Sequence, residues 1–241
     1  MSELLYIPSV IETYTSKITK FRDANKRLEE TRKAVFLNLA TGLYEKIVLV
    51  DGSNTDILTM NEISNIENKG ILVEQLKFQQ PIKLVEKYGA SFGEMTINDH
   101  MIRNSNLANE HGTFIKLSGR YNLVNSLKVV SKLKDLKTFF VNYHPFILRN
   151  FFPYTSTIFY KSSIDFYNKY LADCAEECSY EKNGFLESIY FRRLNKIKKS
   201  FLSIPYPYFS GYVGGGGMAY NDHLMKRKVL SRMRFLSFTC D

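Results

Sequence analysis

Two cations separated by a turn offer the clearest chemistry in this chain. The stretch Phe114-Ile115-Lys116-Leu117-Ser118-Gly119-Arg120-Tyr121 passes from an apolar run into a polar turn. That is the pattern of a buried strand delivering a fixed cation to the edge of a sheet. Ligands of open α/β sheets bind beyond the carboxyl ends of the strands, and the planar fork of an arginine matches phosphate oxygens. The plainer alternative is that Gly119 only makes a turn and Arg120 is solvated. Asp51 closes a second apolar run, Lys46-Ile47-Val48-Leu49-Val50, and leads into Gly52-Ser53-Asn54. A carboxylate there can accept hydrogen bonds from a nucleobase imide or a ribose hydroxyl, or can simply stabilise its own turn.

Gly89 and Gly93 precede Glu94 at what reads as the start of a helix. Glycines let backbone approach a ligand closely, and a helix N-terminus favours an anion. The Gly-x-x-x-Gly spacing matches neither a P-loop nor a dinucleotide fingerprint. Glu94 is then either a favourable first-turn acid or a proton acceptor. Glu187, ahead of a strongly apolar helix face, is a catalytic base if it lines a cleft and a solvated carboxylate if it does not. His100, His111, His144 and His223 have no metal-ligand spacing. Cys174 and Cys178 lie four apart on an apolar stripe and read as core. No nucleophile elbow, kinase signature or C-x-x-C pair occurs.

The elements that must position these residues alternate. Strands are expected at 4–8, 46–50, 71–78, 114–121, 137–143 and 156–160. Helices are expected at 24–43, 92–109, 163–178 and 184–198, with a further one capped by Asn125 that presents Leu127, Val130, Leu133 and Leu136. Alternation of this kind predicts an α/β domain with a mainly parallel central sheet flanked by helices. Residues 1–221 read as that domain. Residues 222–241 read as a basic C-terminal helix carrying Lys226, Arg227, Lys228, Arg232 and Arg234 around Met225, Val229, Met233 and Leu236. Between them, an irregular loop from Pro205 holds several aromatic residues and the run Gly214-Gly215-Gly216-Gly217.

With 241 residues the chain can bury a sizeable core, and its 44% hydrophobic content suits a globular protein. No apolar run approaches the ~18 residues that span a bilayer, and Met1-Ser2-Glu3-Leu4-Leu5 lacks a basic leader region. A cytoplasmic protein is the expectation. Three cysteines, an odd number without paired spacing, argue against a disulfide framework. The net charge of +9 favours an acidic partner: phosphorylated ligands, an anionic membrane or nucleic acid.

Taken in order, Ala24-Asn25-Lys26-Arg27-Leu28-Glu29-Glu30-Thr31, then Val48-Leu49-Val50-Asp51-Gly52-Ser53, then Tyr88 to Glu94, then Ile115 to Tyr121 resemble a GT-A-like nucleotide-sugar glycosyltransferase of the bacterial surface-polysaccharide type. The resemblance covers about residues 4–125. It implies a single GT-A-like, Rossmann-like domain that moves a sugar from a nucleotide-diphosphate donor to a glycan or lipid-linked acceptor. It places Arg27, Asp51, Ser53, Gly93, Lys116 and Arg120 around the donor, Glu94 or Glu187 as base, and Tyr208 and Tyr212 of the aromatic loop at the acceptor. Enzymes of this type carry Asp-x-Asp, which holds a divalent metal, where this chain has Ser118-Gly119-Arg120. The cations Lys116 and Arg120 are suitable replacements. Transfer that is metal-independent or only weakly metal-dependent, with no tightly bound cofactor, is therefore expected. The basic C-terminal segment suits a peripheral position on the inner membrane face, or is an ordinary solvated helix packing by Met225, Val229 and Met233. Two rivals are a non-catalytic nucleic-acid-binding protein, for which no recognition signature is present, and a nucleotidyl- or phosphotransferase on a similar sheet.

Overall fold

The computed structural model describes residues 3–13, 23–142, 154–179, 184–211 and 234–240. β1 (Glu3–Ser9) is buried at all seven positions, as a central strand must be. α1 (Ala24–Leu39) follows, capped by the Asp23 side chain, which accepts from the Lys26 amide. β2 (Tyr44–Asp51) is continuous apolar chain in its second half. α2 (Met60–Glu67) opens on a capping box formed by Thr59 and Glu62, a helix that the periodicity of the chain did not reveal. β3 (Leu72–Lys77), α3 (Ile82–Tyr88), α4 (Ala90–Asn104) and α5 (Asn106–His111) lead to β4 (Thr113–Leu117) and the short β5 (Tyr121–Leu123). The helix expected at 92–109 thus begins earlier and breaks at Ser105, whose hydroxyl caps α5.

α6 (Ser126–Val130), β6 (Phe139–Asn142), β7 (Thr155–Ser163), α7 (Ile164–Tyr170), α8 (Leu186–Leu194), β8 (Lys199–Pro205), β9 (Phe209–Gly211) and β10 (Arg234–Cys240) complete the described order. Asn125 does not cap α6; its side chain instead bonds the backbone of Tyr206 and Tyr208. The helix expected at 163–178 stops at Tyr170 and resumes only as a single 3-10 turn, although Cys174 and Cys178 are buried core as expected.

The eight-stranded sheet has the order β3-β2-β1-β4-β7-β6-β10-β8. β3, β2, β1 and β4 run parallel, whereas β4–β7, β7–β6, β6–β10 and β10–β8 are antiparallel. The sheet is therefore mixed rather than mainly parallel. The parallel half follows the helix-crossover pattern, and in the antiparallel half only β6 and β7 are both neighbours and consecutive in the described order. The C-terminal helix is also corrected in part: residues 234–240 are a strand between β6 and β8, and residues 222–233 lie outside the described residues. Seven residues of antiparallel pairing with β8 satisfy its backbone there.

Strand alternation divides the core into two layers. Tyr6, Val48, Val50, Phe114, Phe140 and Tyr160 face α3, α4, α5, α7 and α8. Leu5, Ile7, Ile47, Leu49, Ile115 and Phe159 face α1, α2 and α6. Near the amino ends of the parallel strands, Lys161 donates to Glu3 Oε1 (2.7 Å) and to the Leu133 carbonyl (2.9 Å), with both side chains buried. No helix among the described residues is long and apolar enough to cross a membrane.

The Glu3–Lys161 pair gives a direct test of the layer arrangement. Removing one member of a buried ion pair strands its partner, so Lys161→Ala is expected to cost about 3–5 kcal/mol. Urea denaturation followed by far-UV circular dichroism measures it; a midpoint equal to that of the wild type would be incompatible with the pair.

Candidate functional site

The parallel half of the sheet runs outward from β1 in both directions. The chain goes from β1 to β2 to β3 on one side, then crosses the opposite face through α3, α4 and α5 to place β4 on the other flank of β1. The carboxyl ends of β1 and β4 thus flank a topological switch point, the place where open sheets bind ligands. Gly119 packs directly on the end of β1 there. Its amide donates to the Pro8 carbonyl (2.9 Å), and a Cβ there would lie 2.8 Å from that oxygen. Only glycine lets the turn after β4 close this tightly on the end of β1. The next residue, Arg120, takes a left-handed conformation with φ of 70°, an uncommon backbone for a side chain of this size.

Lys116 points from β4 into the layer of α4 and α8 and is fully buried. Its ammonium donates to Glu94 Oε1, to Ser118 Oγ (3.1 Å) and to the Thr157 carbonyl. It also lies 5.6 Å from the centre of the Tyr160 ring, within cation–π range. An ammonium has three N–H groups, so these three oxygens saturate it. Thr157 then reaches onward: its hydroxyl donates to Glu187 Oε1 at 3.2 Å. The starts of α4 and α8, which carry Glu94 and Glu187, are tied by a hydrogen bond from the Leu186 amide to Ser91 Oγ (3.2 Å). The two carboxylates proposed from sequence therefore converge on one lysine. Burial, and then the neighbouring Glu94 charge, raise the Glu187 pKa above the ordinary carboxylate value, with the Thr157 hydrogen bond and Lys116 opposing.

Arg27 and Arg120 lie on the other side of the strand ends, toward α1. Both are buried. Arg27 donates through Nε (2.9 Å) and Nη2 to the Val10 carbonyl, just beyond β1. Its pKa is pulled down to about 9, chiefly by burial and then by the Arg120 charge, with Asp51 opposing. Thr31, four residues on, only returns its hydroxyl to the Arg27 carbonyl (2.8 Å).

Asp51 is the knot of these strand ends. Oδ2 accepts from the Ser9 hydroxyl (2.7 Å) and the Ile11 amide (2.9 Å). Oδ1 accepts from the Ser53 amide (2.8 Å), the Ser53 hydroxyl and the Thr55 amide (3.3 Å). Ser53 Oγ in turn accepts from the Glu12 amide (3.0 Å). Both oxygens thus stitch the ends of β1 and β2 together, the turn-stabilising alternative raised by the sequence. Gly93 likewise differs from its expected role of admitting a ligand. The space beside it holds Gln80, whose Nε2 donates to the Gly93 carbonyl (2.6 Å) and would lie 2.7 Å from a Cβ. Gln80 and Thr157 carry no motif that would have singled them out; Gln80 is recognisable only as a polar residue buried between Gly52 and Gly93.

Tyr208 is buried, its amide donates to Asn125 Oδ1 (2.9 Å) and its carbonyl accepts from Val124. It supports the turn after β5, where β9 pairs antiparallel with β5. Tyr212 lies outside the described residues. Among the described residues no group of three or more His, Cys, Asp or Glu is placed to hold a metal. No protein-family model matches the chain, and none of the curated proteins matches it.

Loss of the Asp51 knot should register as instability. Asp51→Ala leaves its buried donors unsatisfied and is expected to cost on the order of 3 kcal/mol. The shift of the urea midpoint measures this; a residue serving only to touch a ligand would leave the midpoint where it was.

Proposed function

We propose that this chain is a nucleotide-sugar-dependent glycosyltransferase that transfers a hexosyl-type group to a glycan or lipid-linked acceptor. The observation that supports the reading best is the pairing at the switch point of a carboxylate–lysine–carboxylate cluster on one flank with two buried arginines on the other. A sugar nucleotide lying across the ends of β1 and β4 would meet both. The acceptor hydroxyl loses its proton to Glu187 as its oxygen attacks the anomeric carbon. The bond from that carbon to the diphosphate breaks, and the departing negative charge falls to Arg27 and Arg120. Glu94 is held by the Lys116 ammonium, whereas Glu187 is out of its direct reach and burial raises its pKa. A carboxylate with a raised pKa that is not tied to a cation is the better proton carrier of the two.

In this reading Lys116 does not touch the diphosphate, since its three N–H groups are taken; it holds Glu94 in place. Asp51 and Ser53 shape the nucleoside end of the site through the turn they stabilise. The Ser118-Gly119-Arg120 turn, standing where Asp-x-Asp is found in related chemistry, makes the transfer independent of a divalent metal.

The deciding measurement is chromatographic detection of UDP, GDP or CMP released from a panel of donors, with and without EDTA. Release that persists in EDTA is expected. Release that requires added Mn²⁺ or Mg²⁺ removes the arginines from their role, and no release from any donor sinks the transferase reading. Glu187→Gln should lower turnover about 10²–10⁴-fold while donor binding is kept. The sign of the pH effect follows from the raised pKa. The base form of Glu187 accumulates as pH rises, so activity in the wild type climbs through a limb displaced above the ordinary glutamate range and then levels. The limb should be absent from the residual activity of Glu187→Gln.

A further inference from the structure

We propose that the Lys116 ammonium is the resident cation of an oxygen cage, a tethered counterpart of a bound metal ion, and that the chain without this side chain takes up a hard cation in its place. The inference goes beyond the transferase reading, in which Lys116 only holds Glu94 in place, and its geometry stands by itself. The ammonium is completely removed from solvent and faces a carboxylate oxygen from α4, a hydroxyl from the turn after β4 and a backbone carbonyl from β7. These are the oxygen types that Mg²⁺ and Ca²⁺ take. No sulfur or imidazole nitrogen is hydrogen-bonded to it, so the cage selects for hardness. Glu187 is one bond further out, joined through the Thr157 hydroxyl, and forms an outer oxygen layer.

The cage is fixed without help from its occupant. The Ser118 amide donates to the Ile158 carbonyl (2.9 Å), locking the turn after β4 against β7 next to Thr157. The bond from Leu186 to Ser91 fixes α4 against α8. Deleting the ammonium therefore leaves a preformed set of oxygens with a part-buried carboxylate and no counter-charge, an arrangement that is costly until a cation enters. Lysine suits the role because its charge is compact and carries donors in three directions, as a small ion presents charge in all directions. An arginine fork would not fit three oxygens arranged around a point.

The test compares wild type, Lys116→Ala and the double variant Lys116→Ala/Glu94→Gln in metal-free buffer, reading Mn²⁺ uptake by electron paramagnetic resonance and folding by circular dichroism. Lys116→Ala is expected to bind one Mn²⁺ about tenfold or more tighter than wild type, and the double variant to lose that gain, because the carboxylate supplies the ligand charge. If Lys116→Ala is unfolded without metal, recovery of the fold on adding Mn²⁺ or Mg²⁺ supports the cage, and failure of both ions to restore it overturns the cage. A folded Lys116→Ala that binds Mn²⁺ no better than wild type overturns it, as does a gain that survives in the double variant. A wild type that releases no nucleotide from any donor counts against the transferase reading alone, since the cage is read by ion uptake.

Discussion

A lysine with no solvent contact sets the terms for one whole end of this molecule. Moving an ammonium out of water costs several kcal/mol unless oxygens replace its hydration. Lys116 is therefore tolerated only because Glu94, Ser118 and Thr157 surround it. Those three residues belong to α4, the turn after β4 and β7. Satisfying one cation thus requires that α4 begin where it does, that the chain turn sharply after Leu117, and that an antiparallel strand lie beside β4. The change from parallel to antiparallel pairing in the sheet happens at this strand. A helical crossover returning to a parallel neighbour would bring a different strand end, and different oxygens, to the same place.

The two faces of β4 explain why the polar groups at the switch point separate by chemistry. Lys116 lies on the face of the α4 layer, between neighbours Ile115 and Leu117 that lie on the other. Arg120 comes after the strand has ended and its left-handed backbone lets the chain swing toward α1. Gly119 makes that swing possible by accepting close contact with the end of β1. The switch point consequently has carboxylates and a lysine on one side and two guanidinium groups on the other, with the Asp51 knot tying the ends of β1 and β2. A knot built from charge-assisted hydrogen bonds suits a site that must keep two arginines near one another without letting them drift apart.

Much of the parallel half was legible in the sequence, for a physical reason. β1, β2 and β4 are central strands, and burial on both faces leaves a continuous apolar run that needs no partner to be recognised. α1 was expected from a face of Leu28, Val35, Phe36, Leu39 and Leu43; Val35 and Leu39 are buried, whereas Phe36 is exposed and Leu43 lies past the helix end. The antiparallel half was harder. Lys199–Pro205 and Arg234–Cys240 mix polar and apolar residues, and the basic residues leading into the latter fit a helical wheel as well as a strand. Their pairing with each other, which decides the matter, is a long-range event. At the site, Glu94, Glu187 and Lys116 could each be suspected from type and position, but not their convergence. Lys116 in an apolar run looked like a cation awaiting a ligand, when burial had already given it three oxygens. Gly93 looked open, when Gln80 had filled the space. Both differences have one origin: a sequence shows which groups are polar, and only packing shows which are already satisfied.

That distinction also settles how the two carboxylates differ. Glu94 and Glu187 have the same side chain and similar places near helix starts, so neither composition nor local structure separates them. What separates them is distance from one positive charge. Glu94 touches the ammonium; Glu187 meets it only through Thr157. A single buried cation can balance only one carboxylate fully, and the second then feels the charge of the first. Burial, and then the charge of Glu94, accordingly raise the pKa of Glu187. Thr157 fixes this inequality, because its carbonyl faces the cation and its hydroxyl faces the carboxylate. The surroundings of Glu187 are therefore a consequence of how β7 is registered against β4, because that register sets which residue presents a carbonyl to the cation and a hydroxyl to the carboxylate.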